Sequence, residues 1–146
     1  MFIVKVYTKI TAIVKKAFEQ GWSNTKLACS VATGFYIAFS PFPGLHTVMM
    51  FIVKWLWALN MPILFIATSI NNPWTMIPIF SINYAFGYWL IHSVLGLNPS
   101  PSLSVAWLFG EGRICLWSFF IGGNLLGTFA GLISYPIALY LFKRFS

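Results

Sequence analysis

The sequence predicts an all-α integral membrane protein, and three observations favour this class. Hydrophobic residues make up 59% of the 146-residue chain and charged residues only 8%, whereas a soluble domain carries roughly 25% charged residues. No charged side chain occurs from Trp55 to Gly110 or from Ile114 to Phe142, as in membrane-buried segments. The basic residues that give the net charge of +7 lie mostly near the two chain ends. Basic residues in such positions are typical of the cytoplasmic flanks of membrane segments rather than of nucleic-acid binding. We therefore expect a multi-pass inner-membrane protein with both termini cytoplasmic.

Residues 1–21 predict an amphipathic helix at the membrane interface, and residues 22–146 a single membrane domain. On a helical wheel the polar residues of the first segment fall on one arc and the apolar residues on the opposite side, as in helices that bind the headgroup region. Gly21 is expected to end this helix and Trp22 to anchor it. The residues expected to face anionic lipid headgroups are Lys5, Lys9, Lys15, Lys16 and Trp22. In the alternative, the apolar side packs on the protein's own cytoplasmic face.

The first part of the membrane domain, residues 27–59, predicts a broken helical unit. Its opening helix, Leu27 to Phe39, is too short to cross a hydrocarbon core of ~30 Å, which needs about 20 helical residues. It runs into SPFPG at residues 40–44, where the prolines push the residues before them out of the helical region. Because Lys26 and Lys54 bracket the unit, we expect a re-entrant hairpin that returns to the cytoplasmic side. The alternative is one kinked spanning helix.

Residues 62–95 predict a second broken, re-entrant unit. Its interruption is INNPWT at residues 70–75. The segments 37–47 and 66–75 share Ile-Ala-x-Ser, a proline-containing cluster and a threonine. This weak internal repeat is the pattern expected where half-helices meet at membrane depth, although chance similarity between apolar segments gives the same pattern.

Residues 96–113 predict a non-cytoplasmic loop, and residues 114–142 a full transmembrane helix. Two stripes of small residues, one in this helix and one in the first half-helix, allow helices to approach closely. The stripes are Gly123, Gly127 and Gly131 in the last helix, and Ser30, Gly34 and Ala38 in the first. They predict either a contact between the two stripes within one chain or a seam with a second copy or a membrane partner.

The chain offers no catalytic constellation, so we expect no enzymatic activity, no cofactor and no metal site. The only acids, Glu19 and Glu111, fall in the surface helix and in the outer loop, away from membrane depth. His46 and His92 lack the neighbouring ligands that a metal needs. No phosphate-binding loop and no GxSxG motif is present.

The two breaks remain as the candidate ligand site. A helix N-terminus in a protein interior presents unsatisfied backbone N–H groups that attract anions, and such termini are expected near Gly44 and Pro73. The candidate ligand-binding residues are Ser40, Pro41, Pro43, Gly44, His46, Thr47, Asn71, Asn72, Pro73 and Thr75. In the alternative these side chains cap helices and bond the local backbone, although a capping role does not require the imidazole of His46.

The stretch from Gly34 to Gly87 resembles the bacterial membrane-protein family known as domain of unknown function 2062. The matching positions are Gly34, Phe39, Pro41, Gly44, His46, Thr47, Asn60, Asn72, Pro73, Thr75, Pro78, Tyr84 and Gly87. The resemblance extends from about Lys26 to the C-terminus. It implies the membrane architecture rather than an activity. The fusion of some relatives to glycosyltransferase domains implies a lipid-linked sugar context.

From these observations we expect the protein to bind or translocate an anionic lipid or a polyprenyl-phosphate headgroup. The lysine-rich first helix would hold it on an anionic leaflet. One alternative is a non-catalytic accessory subunit whose glycine stripe docks a cell-envelope enzyme. Another is a small-solute channel formed by an oligomer.

Overall fold

The computed structural model describes residues 2–42, 44–97, 102–104 and 113–145. Within these ranges, the side chains of residues 2–7, 102–104, 113–114 and 145 are not among the described features. The helices are α1 (Phe2–Glu19), α2 (Asn24–Phe39), α3 (His46–Trp57), α4 (Met61–Thr68), α5 (Met76–Tyr88) and α6 (Leu116–Phe145), and a π-helical segment, Trp89–Val94, continues α5. Two short strands, β1 (Ser102–Ser104) and β2 (Arg113–Cys115), pair in antiparallel register. The described chain is therefore helical apart from this strand pair. Most of the predicted outer loop, residues 98–101 and 105–112, lies outside the described residues.

Among the described residues, α6 is the one helix that has the length and the apolar character to cross a membrane. Its 30 residues extend about 45 Å at a rise of about 1.5 Å per residue, more than a hydrocarbon core of ~30 Å requires. Large apolar side chains also cover the surface of the other helices, and Trp55 and Trp74 are 84% and 90% exposed. Soluble proteins rarely expose apolar side chains so extensively, so this surface is suited to a lipid environment.

The glycine stripe of α6 packs against α2. The contacts join Gly131 with Ala32, Gly127 with Tyr36, and Gly123 with Phe39 and Pro41. At each glycine, a Cβ atom would come to 3.0 Å from a backbone oxygen of α2, so only glycine lets the helices approach this closely. Residue numbers rise along α2 as they fall along α6, and the two helices are therefore antiparallel. The hydroxyl of Tyr36 donates across the seam to Asn124 Oδ1 at 2.8 Å.

The small-residue stripe of α2 packs on a different helix, α4. A Cβ atom at Gly34 would overlap the Cβ of Ala67, and the backbone N–H of Asn60 donates to Ser30 Oγ at 2.8 Å. Both predicted stripes therefore serve packing within the chain, but they do not face each other. The sequence spacing identified two close-packing faces without identifying their partners.

The first broken unit folds back on itself. Helix α3 runs antiparallel to α2, because Ser40 lies beside Met49 near the break while the ammonium group of Lys26 donates to the carbonyl of Trp57 at 2.6 Å. This cation stabilises the carbonyl end of α3, where a positive charge is favourable. The start of α2 and the end of α3 thus lie at the same end of the bundle.

The second broken unit continues in one direction instead of folding back. Helix α4 is parallel to α2, since Asn60 lies beside Ser30 and Asn71 beside Ala38. Helix α5 is antiparallel to α6, with Asn83 at Gly122 and Gly87 at Ser118, and so has the same direction as α4. A second hairpin, as expected from the sequence, is not formed. The physical reason is that α5 packs antiparallel on α6, where Gly87 and Gly122 let the two backbones come into contact.

Helix α1 docks on the bundle through the apolar side of its second half. Ala17 is 3% exposed, within a cluster that includes Leu27, Ile63 and Phe142. The rings of Phe18 and Phe142 meet edge to face with centroids 6.0 Å apart. This part of α1 therefore packs on the protein itself, as in the alternative considered for the interfacial helix.

We predict that Gly122→Ala destabilises the protein more than Gly131→Ala. A methyl group at Gly122 overlaps the backbone carbonyl of Asn83, whereas at Gly131 it comes to 3.0 Å from the carbonyl of Ala32. Overpacking of this kind costs about 1–3 kcal/mol, and a backbone obstacle puts Gly122→Ala at the upper end. Thermal unfolding of the purified protein in detergent measures the difference, and equal melting temperatures for the two variants would contradict the seam.

Candidate functional site

The second break in the helices contacts the C-terminal end of α2, the helix that precedes the first break. We call residues 40–45 the first break and residues 69–75 the second break. The side-chain amide of Asn71, in the second break, donates to the carbonyl of Ala38 at 2.6 Å. The amide of Asn83, on α5, donates to the carbonyl of Phe39 at 2.8 Å. Terminal carbonyls that an α-helix leaves unsatisfied thus receive donors from the second broken unit.

Within the second break, Asn72 and Thr75 bond each other and the local backbone. Asn72 Oδ1 accepts from the N–H groups of Trp74 at 2.9 Å and Thr75 at 3.1 Å. Thr75 Oγ1 accepts from the N–H of Asn72 at 2.9 Å and donates to the carbonyl of Ile70. Pro73 lies on the exposed side of this turn. These are the local backbone bonds of the alternative interpretation. Helix α5 begins directly after the break, at Met76, and its N-cap residue Thr75 makes no side-chain cap hydrogen bond.

The first break has a buried side and an exposed side. Ser40 and Pro41 are buried against α6 and α3, whereas Gly44, with φ +82°, and Thr47 are exposed. The positive φ favours glycine at this turn. Pro43 lies outside the described residues.

Helix α3 begins beside this turn without a side-chain cap. Its N-cap residue is Leu45, which has no hydroxyl or carboxylate to accept from the first N–H groups. His46, the first residue of the helix, is half-buried beside the backbone of Ser40. Its Nε2 atom is buried and has no hydrogen-bond partner. The first break therefore combines an uncapped helix N-terminus with an unpaired imidazole nitrogen.

Two further buried polar groups lie where α5 meets α6. Asn83 and Ser118 are both 0% exposed, and Asn83 Oδ1 and Ser118 Oγ have no hydrogen-bond partner. Buried polar atoms are nearly always paired in folded proteins. Sequence reasoning missed both residues, although an asparagine inside the uncharged stretch FSINYAF is a usable signal, because polar residues at membrane depth are costly.

The other predicted site residues lie elsewhere in the structure. Lys9, Lys15 and Lys16 are on the exposed side of α1 and Trp22 is half-buried after it, while the side chain of Lys5 lies outside the described features. Across the part of the chain that the structure describes, no three His, Cys, Asp or Glu residues group as metal ligands do. Of the predicted set, Asn71 of the second break contacts the last turn of α2, just before the first break, and the α1 lysines lie on a different helix.

We predict that Asn71→Ala destabilises the protein by about 1–3 kcal/mol, the usual cost of leaving a buried acceptor unsatisfied. It removes the only hydrogen bond described for the carbonyl of Ala38, a fully buried residue. The control is Ser69→Ala in the same break, because Ser69 is exposed and its hydroxyl bonds only the carbonyl of Phe65 one turn earlier. Thermal unfolding in detergent compares them. An Asn71→Ala protein as stable as Ser69→Ala would refute the cap.

Comparison with known proteins gives one match. Residues 8–146 match the family model described as "Uncharacterized protein conserved in bacteria (DUF2062)", which confirms the resemblance seen in the sequence. No curated protein and no solved structure matches the chain. The family model covers nearly the whole chain, including both breaks, the glycine seams and α6, and the chain therefore belongs to this bacterial family, domain of unknown function 2062.

Proposed function

We propose that the protein is a multi-pass inner-membrane protein that binds the phosphate headgroup of an anionic lipid, such as a polyprenyl phosphate, at the first break. The observation that carries the proposal is the buried, partnerless Nε2 atom of His46 beside the uncapped N-terminus of α3.

The orientation in the membrane follows from the charges. Four helix ends lie at one end of the bundle: the start of α2 and the ends of α1, α3 and α6. The contacts between them join Lys26 with Trp57 and Phe18 with Phe142. The basic residues near these ends are Lys15, Lys16, Lys26, Lys54, Lys143 and Arg144. Because basic residues accumulate on the cytoplasmic side, this end is assigned to the cytoplasm. The α2–α3 unit then enters and leaves from that side, the α4–α5 unit crosses outward, and α6 returns.

The same orientation places the first break near the far boundary of the hydrocarbon core. About 20 helical residues cross a core of ~30 Å. When about 20 residues are counted back along α6 from Phe142, which precedes Lys143, the count ends close to Gly123. Gly123 contacts Phe39 at the end of α2. The first break is thus level with the headgroups of the non-cytoplasmic leaflet, where a lipid phosphate is within reach.

The chemistry of the first break suits an anion. Backbone N–H groups and the positive end of the helix dipole attract phosphate at a helix N-terminus. His46 Nε2 supplies a further donor when it carries a proton, and the exposed hydroxyl of Thr47 is on the same turn. A phosphate would satisfy groups that otherwise lack partners in a poorly hydrated position.

The packing of α6 weakens the accessory-subunit alternative. It rested on the glycine stripe of α6 as a docking face for another protein. Gly123, Gly127 and Gly131 are all buried against α2 within the chain, so they present no free surface to a partner.

We predict that His46→Gln weakens the binding of a polyprenyl phosphate at least about tenfold, because a hydrogen bond to a charged group contributes about 1.5–3 kcal/mol. The matched control is His92→Gln. The His92 ring stacks on Tyr88 with centroids 4.0 Å apart, and its Nδ1 atom lies 3.1 Å from the Tyr88 carbonyl, well away from the first break in sequence and in contacts.

The measurement is the binding of a fluorescent polyprenyl phosphate to protein in phosphatidylcholine nanodiscs, with melting temperatures recorded in parallel. Selective loss in His46→Gln at unchanged melting temperature supports the site. Undiminished binding by His46→Gln, or equal loss in both variants, rejects the first break as the phosphate site.

A further inference from the structure

A groove separates α1 from α4 at the basic end of the bundle. It has two adjoining chambers that share Met61 and Pro62, with volumes of about 510 Å³ and 630 Å³. Each volume lies within the range of roughly 300–1,000 Å³ that is usual for ligand sites. We call this feature the α1–α4 groove.

The smaller chamber is apolar. Ile10 and Ile13 of α1 face Phe65 and Ile66 of α4 across it, and Lys9 lies at its edge. Ile10 and Phe65 remain 38% and 58% exposed, so the two helices leave this cleft unfilled. In a bilayer the solvent around these side chains is hydrocarbon, and the shape and chemistry of the chamber fit an acyl chain.

The larger chamber has a polar rim. Lys54, at the end of α3, lines it together with Gln20, Trp22 and Trp55. Tryptophan is enriched at the headgroup level of membranes, and a lysine here supplies a positive charge to a phosphate. Neither chamber is lined by an acid; Glu19, the one acidic residue among those the structure describes, lies outside both.

We propose that the α1–α4 groove binds one anionic phospholipid of the cytoplasmic leaflet, with an acyl chain between α1 and α4 and the phosphate beside Lys54. Charge complementarity selects this occupant, because basic pockets between helices on the cytoplasmic side of a membrane bind anionic headgroups. The bound lipid fills the space that separates α1 from α4 and ties α1 to the bundle. The inference rests on the membrane orientation proposed above, but it does not depend on the phosphate site at His46.

Two variants test the two parts of the groove. Lys54→Gln removes the charge from the exposed rim, and its control is Lys16→Gln on α1, an exposed lysine that does not line the groove. Ile10→Trp fills the apolar chamber, and its control is Ile133→Trp, at a position on α6 that is 61% exposed and also outside the groove.

The protein is exchanged into nanodiscs that contain phosphatidylcholine and phosphatidylglycerol, and native mass spectrometry then counts the lipids retained per chain. We expect one retained phosphatidylglycerol on the unmodified protein. Lys54→Gln should lower its preference over phosphatidylcholine about fivefold, as about 1 kcal/mol per lysine implies, and Ile10→Trp should abolish retention of both lipids. The two controls should behave like the unmodified protein.

Three results would overturn the proposal. Equal effects of Lys54→Gln and Lys16→Gln would indicate general surface charge rather than a site. Retention that survives Ile10→Trp would place the lipid elsewhere. A dimer without retained lipid would identify a second copy of the chain as the occupant. The test is separate from that of the first break, since His46→Gln should leave the retained phosphatidylglycerol unchanged.

Discussion

The end of α2 sets the central constraint on this structure. A helix that stops inside a protein interior leaves its last carbonyl groups without donors, and buried backbone groups must find partners. The donors come from Asn71 and Asn83, which lie on either side of the start of α5 and bond consecutive carbonyls of α2. The two broken units are thereby coupled, because a shift of α5 withdraws donors from α2. Two interrupted helices can be tolerated side by side where one alone would be costly.

Close helix approach makes this coupling geometrically feasible. Helix α2 is in contact with α6 on one side and with α4 on another, through glycines at positions that no side chain could occupy without displacing backbone atoms. Helix α5 reaches Phe39 because Gly87 and Gly122 let it sit directly on α6. Small residues thus bring the asparagine amides within hydrogen-bond distance of the carbonyls. The polar and the packing features of the core depend on each other.

The positions of the breaks were predictable from sequence, whereas the direction of the chain after each break was not. Proline fixes φ and removes a donor, so the end of α2 at Phe39 and the start of α3 at His46 agree closely with the pattern of SPFPG. The course of the second unit depends on the contact of Gly87 with Ser118, which is distant in sequence and leaves no local signature. The same limit explains why the small-residue stripes were found without their packing partners. At the candidate site, the isolated His46 was identifiable by its residue type. Local bonding by Asn72 and Thr75 was one of the alternatives from sequence, but their individual partners required the observed turn geometry.

The seam between α2 and α6 has a consequence for biogenesis. Tyr36 and its partner Asn124 are 88 positions apart. A ribosome adds about 5–20 residues per second, so roughly 4–18 s pass between the synthesis of α2 and the synthesis of the part of α6 that packs on it. During that interval the nascent α2 lacks α6, and until Asn71 and Asn83 are synthesised its last carbonyls also lack the side-chain amides that bond them. Among the described helices, the one that completes the core is the last to be synthesised.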